Sequence, residues 1–258
     1  MKILSRAVVL TVLIIFFKSA STQAASLTDT ISKIKPSIVG IGTHLPTRAP
    51  QSQLSGTGFV VADGYHIVTN AHVVSNEINA DSLEKRVVFV GTGRSPEVRE
   101  ARVLNVDEEH DVALLRISGR RLPALEVGDS AKVKEGQLYA FTGFPIGAIL
   151  GLYPVTHQGI ISSITPVVIP ASSHRQLTAQ AINRLRHPYF VFQIDATAYP
   201  GNSGSPLYDP ANGKVVGIIN KVFVKETKEN ALKDPSGITY AIPSKYILKL
   251  LADTGLKK

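Results

Sequence analysis

Tyr199-Pro200-Gly201-Asn202-Ser203-Gly204-Ser205-Pro206 sets one serine between two glycines in a run that has to turn tightly. Glycine accepts unusual backbone angles and leaves no side chain in the way of an approaching group. A serine that attacks a carbonyl needs that openness. It also needs backbone N–H groups converging on one point, to hold the negative charge of a tetrahedral intermediate. The N–H groups of Gly201 and Ser203 are the natural pair. A plain Gly-Ser surface turn has the same composition, so the octamer gains meaning only with partners elsewhere in the chain.

A serine is a weak nucleophile without an adjacent base. The candidate base is His72, in Val68-Thr69-Asn70-Ala71-His72-Val73-Val74, directly after a strand-like run and wrapped in apolar residues. A placed, partly buried imidazole suits a general base. His66 lies on the strand leading to it and reads as structural. His110 reads as a surface residue or a weak modulator, and His44, His157, His174 and His187 sit in polar or loop-like contexts without a role. The third member is Asp111, which opens the apolar run Val112-Ala113-Leu114-Leu115. A carboxylate at the edge of a buried strand is costly without a partner, and His72 is the partner on offer. Asp107, Glu108 and Glu109 read as solvated turn residues. The chain order His, Asp, Ser is that of the chymotrypsin arrangement and differs from the subtilisin and α/β-hydrolase orders. The G-x-S-x-G elbow is absent, because position 205 is Ser.

Around these residues the chain reads as short strands. Ser37–Ile41, Gly58–Val61, His66–Thr69, Arg86–Val90, Glu100–Val106 and Asp111–Ile117 make about six in the first half. Ala62-Asp63-Gly64-Tyr65 supplies a hairpin turn, and Thr43 to Ser55 reads as a loop. The second half repeats the pattern with Gln137–Thr142, Val155–Ile164, Pro166–Ile169, Phe190–Asp195, Val215–Asn220 and Thr239–Ala241. Gln176 to Arg186 has a helical or loop composition, and Pro243-Ser244 opens a short helix over Lys245–Leu251. Two sets of strands joined near Gly119 to Asp129 suit two small closed barrels, which leave no exposed edges. The fold class is all-β: a double β-barrel of the chymotrypsin/trypsin-like kind with a short C-terminal helix. The expected bounds are 30–120 for the first barrel, 130–245 for the second and 244–252 for the helix.

Composition sets limits on function. Of 258 residues, 44% are hydrophobic and 19% charged, enough for a sizeable core and too apolar for disorder throughout. Lys2 and Arg6, the apolar run Ala7–Phe17 and the small residues before Ala25 read as an export signal over 1–24, leaving 25–258 as the mature domain. The apolar run is too short to cross a bilayer as a helix, so no stable membrane insertion is expected once the signal is removed. Removing 1–24 takes three basic residues and no acid, which lowers the formal charge from +8 to +5. No dense Lys/Arg cluster goes with that charge, so nucleic acid is not an expected partner. With no cysteine, an exported chain has no disulfides and no thiolate chemistry. No His-Glu-x-x-His or clustered ligand set marks a metal site, and no cofactor is implied.

With these pieces together, the chain resembles the HtrA/Deg family of trypsin-like serine proteases. The resemblance rests on Ser55–Val60, Ile67–Val74, Asp111–Leu115, Gly159–Ser163, Gln193–Ala196, Pro200–Leu207 and Tyr240–Pro243. It implies a serine endopeptidase acting on unfolded or exported polypeptides, periplasmic or secreted, a monomer or a trimer built by the protease domain. It implies His72 as base, Asp111 as orienting acid, Ser203 as nucleophile and an oxyanion hole at Gly201 and Ser203. It places Thr197 at the base of the primary pocket, with Ile218, Ile219 and Asn220 along its wall and Tyr199 at its entrance. No acid stands at that base, so small or medium aliphatic side chains are expected in place of Arg or Lys. The sequence ends at Lys258, soon after Pro243, and departs from the family in lacking a C-terminal PDZ domain. Ser205 stands where the family usually has Gly. Asn202 cannot make the ion pair with a new N-terminus that switches on pancreatic-type enzymes, so loop ordering around 143–151 and 172–201 is the expected switch. The competing reading is a protease-fold binding or chaperone-like module with little or no catalysis.

Overall fold

Period-two alternation builds two barrels and the layer between them. The computed structural model describes residues 26–75, 78, 83–145, 151–167, 188–220 and 237–256. The expected signal segment 1–24, the stretch Gln176 to Arg186 and most of the two expected switch loops lie outside the described residues. The first barrel contains β1 (Ile38–His44), β2 (Ser52–Val61), β3 (His66–Thr69), β4 (Lys85–Val90), β5 (Glu97–Asp107) and β6 (Val112–Ile117). They pair in the closed order β1-β2-β3-β6-β5-β4. The second contains β7 (Leu138–Gly143), β8 (Val155–Pro166), β9 (Phe190–Asp195), β10 (Pro206–Tyr208), β11 (Val215–Asn220) and β12 (Ile238–Pro243). Its closed order is β10-β11-β12-β9-β8-β7. This is the chymotrypsin-like double barrel.

Adjacent residues of one strand serve different cores, because successive side chains point to opposite faces. Ile67 and Leu115 fill the first barrel with Val39, Val60 and Val88. Phe141, Ile161, Ile194 and Leu207 fill the second. Their neighbours Val68, Leu114 and Phe59 face outward, into a third cluster shared with Tyr208, Val215 and Ile242 of the second barrel. That shared layer joins the barrels.

Two helices close over it. Helix α1 (Leu27–Ile34) is capped by the Ser26 hydroxyl, which accepts from the Asp29 N–H at 3.2 Å, and it inserts Ile34 into the shared layer. Helix α2 (Ser244–Asp253) adds Ile247, Leu250 and Leu251. The buried Ser244 hydroxyl donates to the Gly128 carbonyl at 2.7 Å and fastens the start of α2 to the inter-barrel connection.

Several boundaries differ from the sequence expectation. The segment read as a loop from Thr43 to Ser55 is a loop only over 45–51, because β1 and β2 continue to pair to His44↔Ser52 past an irregularity at Ile41/Gly42. Strand β8 runs past the expected end at Ile164 to Pro166, and residues 168–169 of the second expected segment lie outside the described residues. Strand β10 and helix α1 were not anticipated. The Ala62–Tyr65 hairpin is as expected. Gly64 sits there at φ +85°, and a Cβ would lie 2.4 Å from the Leu122 carbonyl.

Phe59 is fully buried in the shared layer. Phe59→Ala is expected to lower stability by about 3–5 kcal/mol, the sum of lost transfer energy and a cavity, read as a fall in the urea unfolding midpoint.

Candidate active site

Asp111 and His72 meet through two hydrogen bonds. The His72 backbone N–H donates to Asp111 Oδ1 at 2.8 Å, and His72 Nδ1 lies 2.6 Å from Oδ2. The carboxylate accepts, so Nδ1 carries the proton and Nε2 is left with its lone pair. His72 sits in the single-turn helix Ala71–Val73 directly after β3, and Asp111 immediately precedes β6. β3 and β6 are paired neighbours, with Thr69 opposite Ala113, so the barrel itself brings the two side chains together.

Asp111 is held from further directions. Asn220, at the end of β11, donates its amide to Asp111 Oδ2 at 2.7 Å. Asn70 donates its amide to the Asp111 carbonyl at 3.0 Å. With donors on both oxygens the carboxylate is held in one orientation, and it fixes the orientation of the imidazole.

Ser203 arrives from the second barrel on the loop before β10. It is buried, at 7% exposure. Its loop is tied to β2 by Thr57. The Thr57 N–H donates to the Ser203 carbonyl at 2.8 Å, and the Thr57 hydroxyl donates to the Gly201 carbonyl at 2.7 Å. The same hydroxyl accepts from the Phe144 N–H at 3.0 Å. Gly56 lies between the loop and the histidine's neighbour: a Cβ there would sit 3.0 Å from the Ser203 carbonyl and 2.8 Å from Val73 Cγ2. Gly204 is equally constrained, at φ +89° with a Cβ position 1.9 Å from the Thr57 carbonyl. The Gly-rich composition is therefore a packing requirement as well as a turning one.

Within 201–205, Asn202 N–H donates to Tyr199, Gly204 N–H to Ile219 and Ser205 N–H to Asn202. The N–H groups of Gly201 and Ser203 have no acceptor among the described residues. Beneath the loop, Asn202 is fully buried, and neither its Oδ1 nor its Nδ2 has a partner. The Ser205 hydroxyl is also buried and unpaired, and it occupies the space that a side chain at Gly143 would need.

Of the residues expected at the pocket, Thr197 and Tyr199 are half-buried. Ile218 and Ile219 are fully buried, one in the layer between the barrels and the other inside the second barrel. A strand enclosed on both faces has no open side for them. The Asn220 side chain is turned to Asp111, away from a free wall position. His157 belongs near this region although it was given no role. Its ring stacks on Phe141 at 4.9 Å and lies 6.1 Å from that of Tyr199. Thr57 and Asn70 were also missed as functional residues, although both lie in the motif stretches around Gly58 and His72. No group of three or more His, Cys, Asp or Glu side chains suited to a metal ion occurs among the described residues.

A pair of closed barrels with a His–Asp contact on one and a glycine-flanked serine on the other defines the trypsin-like peptidases. Residues 56–218 match the trypsin-like peptidase domain model, and the chain belongs to that family, within its HtrA-like branch. It is 32% identical over 232 residues to the serine protease HTRA1A of Danio rerio, covering 88% of this chain and 41% of that one. It is 34% identical over 191 residues to a probable periplasmic serine endoprotease DegP-like of Halomonas elongata, covering 73% and 32%. Among solved structures, the HtrA-type protease AlgW with tripeptide matches at a TM-score of 0.64 and 25% identity, covering 90% of this chain and 65% of that one. The chain thus spans well under half the length of these curated relatives.

Thr57→Val keeps the shape and removes the hydroxyl. It strands the Phe144 N–H and the Gly201 carbonyl, so a stability loss of about 1–3 kcal/mol is expected in chemical denaturation. Burial pushes the His157 imidazole below its ordinary value of 6.5. The unfolded chain then takes up this proton first as pH falls. Stability therefore drops from about pH 6.5 down to the lower folded value and levels off beneath both. His157→Phe is expected to flatten part of the stability-versus-pH slope between about pH 7 and pH 5, measured by urea unfolding at each pH.

Proposed function

We propose that the chain is a serine endopeptidase that works through His72, Asp111 and Ser203. The two-point contact of Asp111 with His72 carries this reading. It fixes the tautomer that leaves Nε2 able to accept a proton, while Thr57 ties the loop that carries Ser203 to the barrel that carries His72.

In the reaction, Ser203 Oγ attacks the carbonyl carbon of the scissile bond while its proton passes to His72 Nε2. The carbonyl π pair moves to oxygen, and the N–H groups of Gly201 and Ser203 hold the resulting charge. Collapse of the tetrahedral intermediate breaks the C–N bond, and the amine leaves with the proton from Nε2. Water then attacks the acyl-enzyme by the same route: His72 accepts its proton and returns it to Ser203 Oγ. Asp111 stays ionised throughout and stabilises the imidazolium.

Substrates are unfolded or exported polypeptides. Thr197 and Tyr199 form the accessible part of the primary pocket, and Ile218, Ile219 and Asn220 border it through the backbone of β11 and not through their side chains. With no acid at its base, the pocket takes small or medium aliphatic side chains. An apolar pocket separates single methylenes by only about 1–3 kcal/mol, so cleavage is broad. The apolar run near the N-terminus and the periplasmic relative support export to the periplasm or beyond. No helix among the described residues is long and apolar enough to cross a membrane. The working unit is a monomer or a trimer formed by this domain.

The test is digestion of a denatured protein by the purified chain, with mass-spectrometric mapping of the cuts. Ser203→Ala, His72→Ala and Asp111→Asn are expected to lose at least about 10⁴-fold in kcat/KM. Undiminished cleavage by Ser203→Ala would overturn the mechanism, and cuts confined to Arg or Lys would overturn the pocket. Failure of an organophosphonate to label Ser203 would favour a binding module.

A further inference from the structure

The turn between β5 and β6 contains a second histidine, next to the carboxylate on which the proposed site depends. Asp111 ends that turn at φ +53°. This is the left-handed region, which side chains other than glycine seldom adopt and aspartate tolerates better than most. Something has to hold it there. Asn70 fixes the carbonyl side. On the amide side stands His110.

His110 is bonded within the turn and packed outside it. Its N–H donates to Asp107 Oδ1 at 3.1 Å, and its Nδ1 lies 2.8 Å from Asp107 Oδ2. Its ring stacks on Tyr246 of α2, with centroids 3.8 Å apart and planes 17° from parallel. Tyr189, just before β9, meets the same ring edge-on at 4.8 Å and touches Tyr246 at 5.7 Å. Only 15% of the His110 side chain and 16% of the Asp107 side chain are exposed, so Asp107 is not the solvated turn residue the sequence suggests, whereas Glu108 and Glu109 are exposed as expected. Other charged groups nearby are Glu109, Lys249, whose Nζ donates to Asp253 Oδ2 at 2.7 Å, and Lys245, whose Nζ lies 4.8 Å from the Tyr246 ring centre.

We propose that the stack of His110, Tyr246 and Tyr189 is a positioning device that holds Asp111 in register with His72. The inference rests on the proposed triad. Neither His110 nor the tyrosines touch the reacting atoms. They act by stopping the turn from rotating about the Asp111 backbone. Asp111 meets the His72 N–H and Nδ1 with one oxygen each, so a small rotation loses both contacts together. A misplacement of about 1 Å at such a site costs on the order of 100-fold in rate. The device also crosses the molecule. The turn belongs to the first barrel, Tyr189 leads into the second, and Tyr246 is in the first turn of α2, so the carboxylate is set only when all three are docked.

The test uses His110→Ala, Tyr246→Leu and Tyr246→Phe in the full chain. The first two are expected to lower kcat by about tenfold or more while leaving KM within about twofold, the signature of a misplaced catalytic group. In both, the His72 backbone amide is expected to exchange with deuterium at least about tenfold faster, with amides of the barrel interiors unchanged. Tyr246→Phe keeps the ring and is expected to restore both readings. Should His110→Ala not fold, as judged by circular dichroism, Tyr246→Leu decides. Folded variants with unchanged His72 exchange, or with kcat and KM altered in step with thermal stability alone, would overturn the proposal. Retained cleavage in Ser203→Ala would instead overturn the triad, and the exchange measurement on His72 would still judge the stack.

Discussion

Thr57 sets the relation between the two barrels on which the chemistry depends. It is a β2 residue, yet its N–H and hydroxyl both reach the loop of the second barrel that carries Ser203. Its carbonyl accepts from the Thr69 hydroxyl at 2.7 Å, three residues before His72. One residue thereby connects the strand that leads to His72 with the loop that presents Ser203. The shared apolar layer supplies the force that presses the barrels together, but apolar contact is non-directional. Directional bonds at Thr57 convert that pressure into a fixed register. A buried polar network earns its place by specifying one arrangement, provided that each member is satisfied, and Thr57 is satisfied at its N–H, its carbonyl and its hydroxyl.

The region under the nucleophile loop differs in this respect. Asn202 and Ser205 hold polar atoms in the interior without partners, close to Gly143 at the end of β7. Unsatisfied buried groups cost energy, and three of the six such side-chain atoms among the described residues lie here, the others being on Ser37, Asn70 and His157. The loop is thus fixed at its carbonyls by Thr57 and left loosely satisfied at its side chains. That combination suits a loop whose N–H groups have to stay aimed at one point while its underside tolerates adjustment. It also separates this site from enzymes in which an Asp before the serine is locked by a charge.

Much of this was legible in the sequence. His66–Thr69 and Asp111–Ile117 read as strands, and the motif segments around His72, Asp111 and Ser203 fell where paired strands and a tight loop occur. What stayed hidden depends on juxtaposition over long sequence distances. The Asn220 amide reaches Asp111 across 109 residues, and nothing local to Val215–Asn220 signals that contact. Asp111 looked like the first residue of a strand; its left-handed backbone is a property of the turn and its packing. His110 looked exposed because its neighbours are acidic, and only the docking of α2 covers it. Helix α1 was missed because it is short and packs through few residues, Ile34 and Leu27 against the shared layer and the buried Thr30.

The division of labour between the barrels has a consequence for the newly made chain. His72 and Asp111 come from the first barrel and Ser203 from the second, with Thr57 and the apolar layer joining them. A chain in which one barrel has formed and the other has not holds an incomplete set, whichever forms first. During folding, when its own loops and those of its neighbours are still accessible, such a chain lacks the proposed triad. Under that proposal competence arrives with the last step of assembly, and the architecture itself serves as protection against self-digestion.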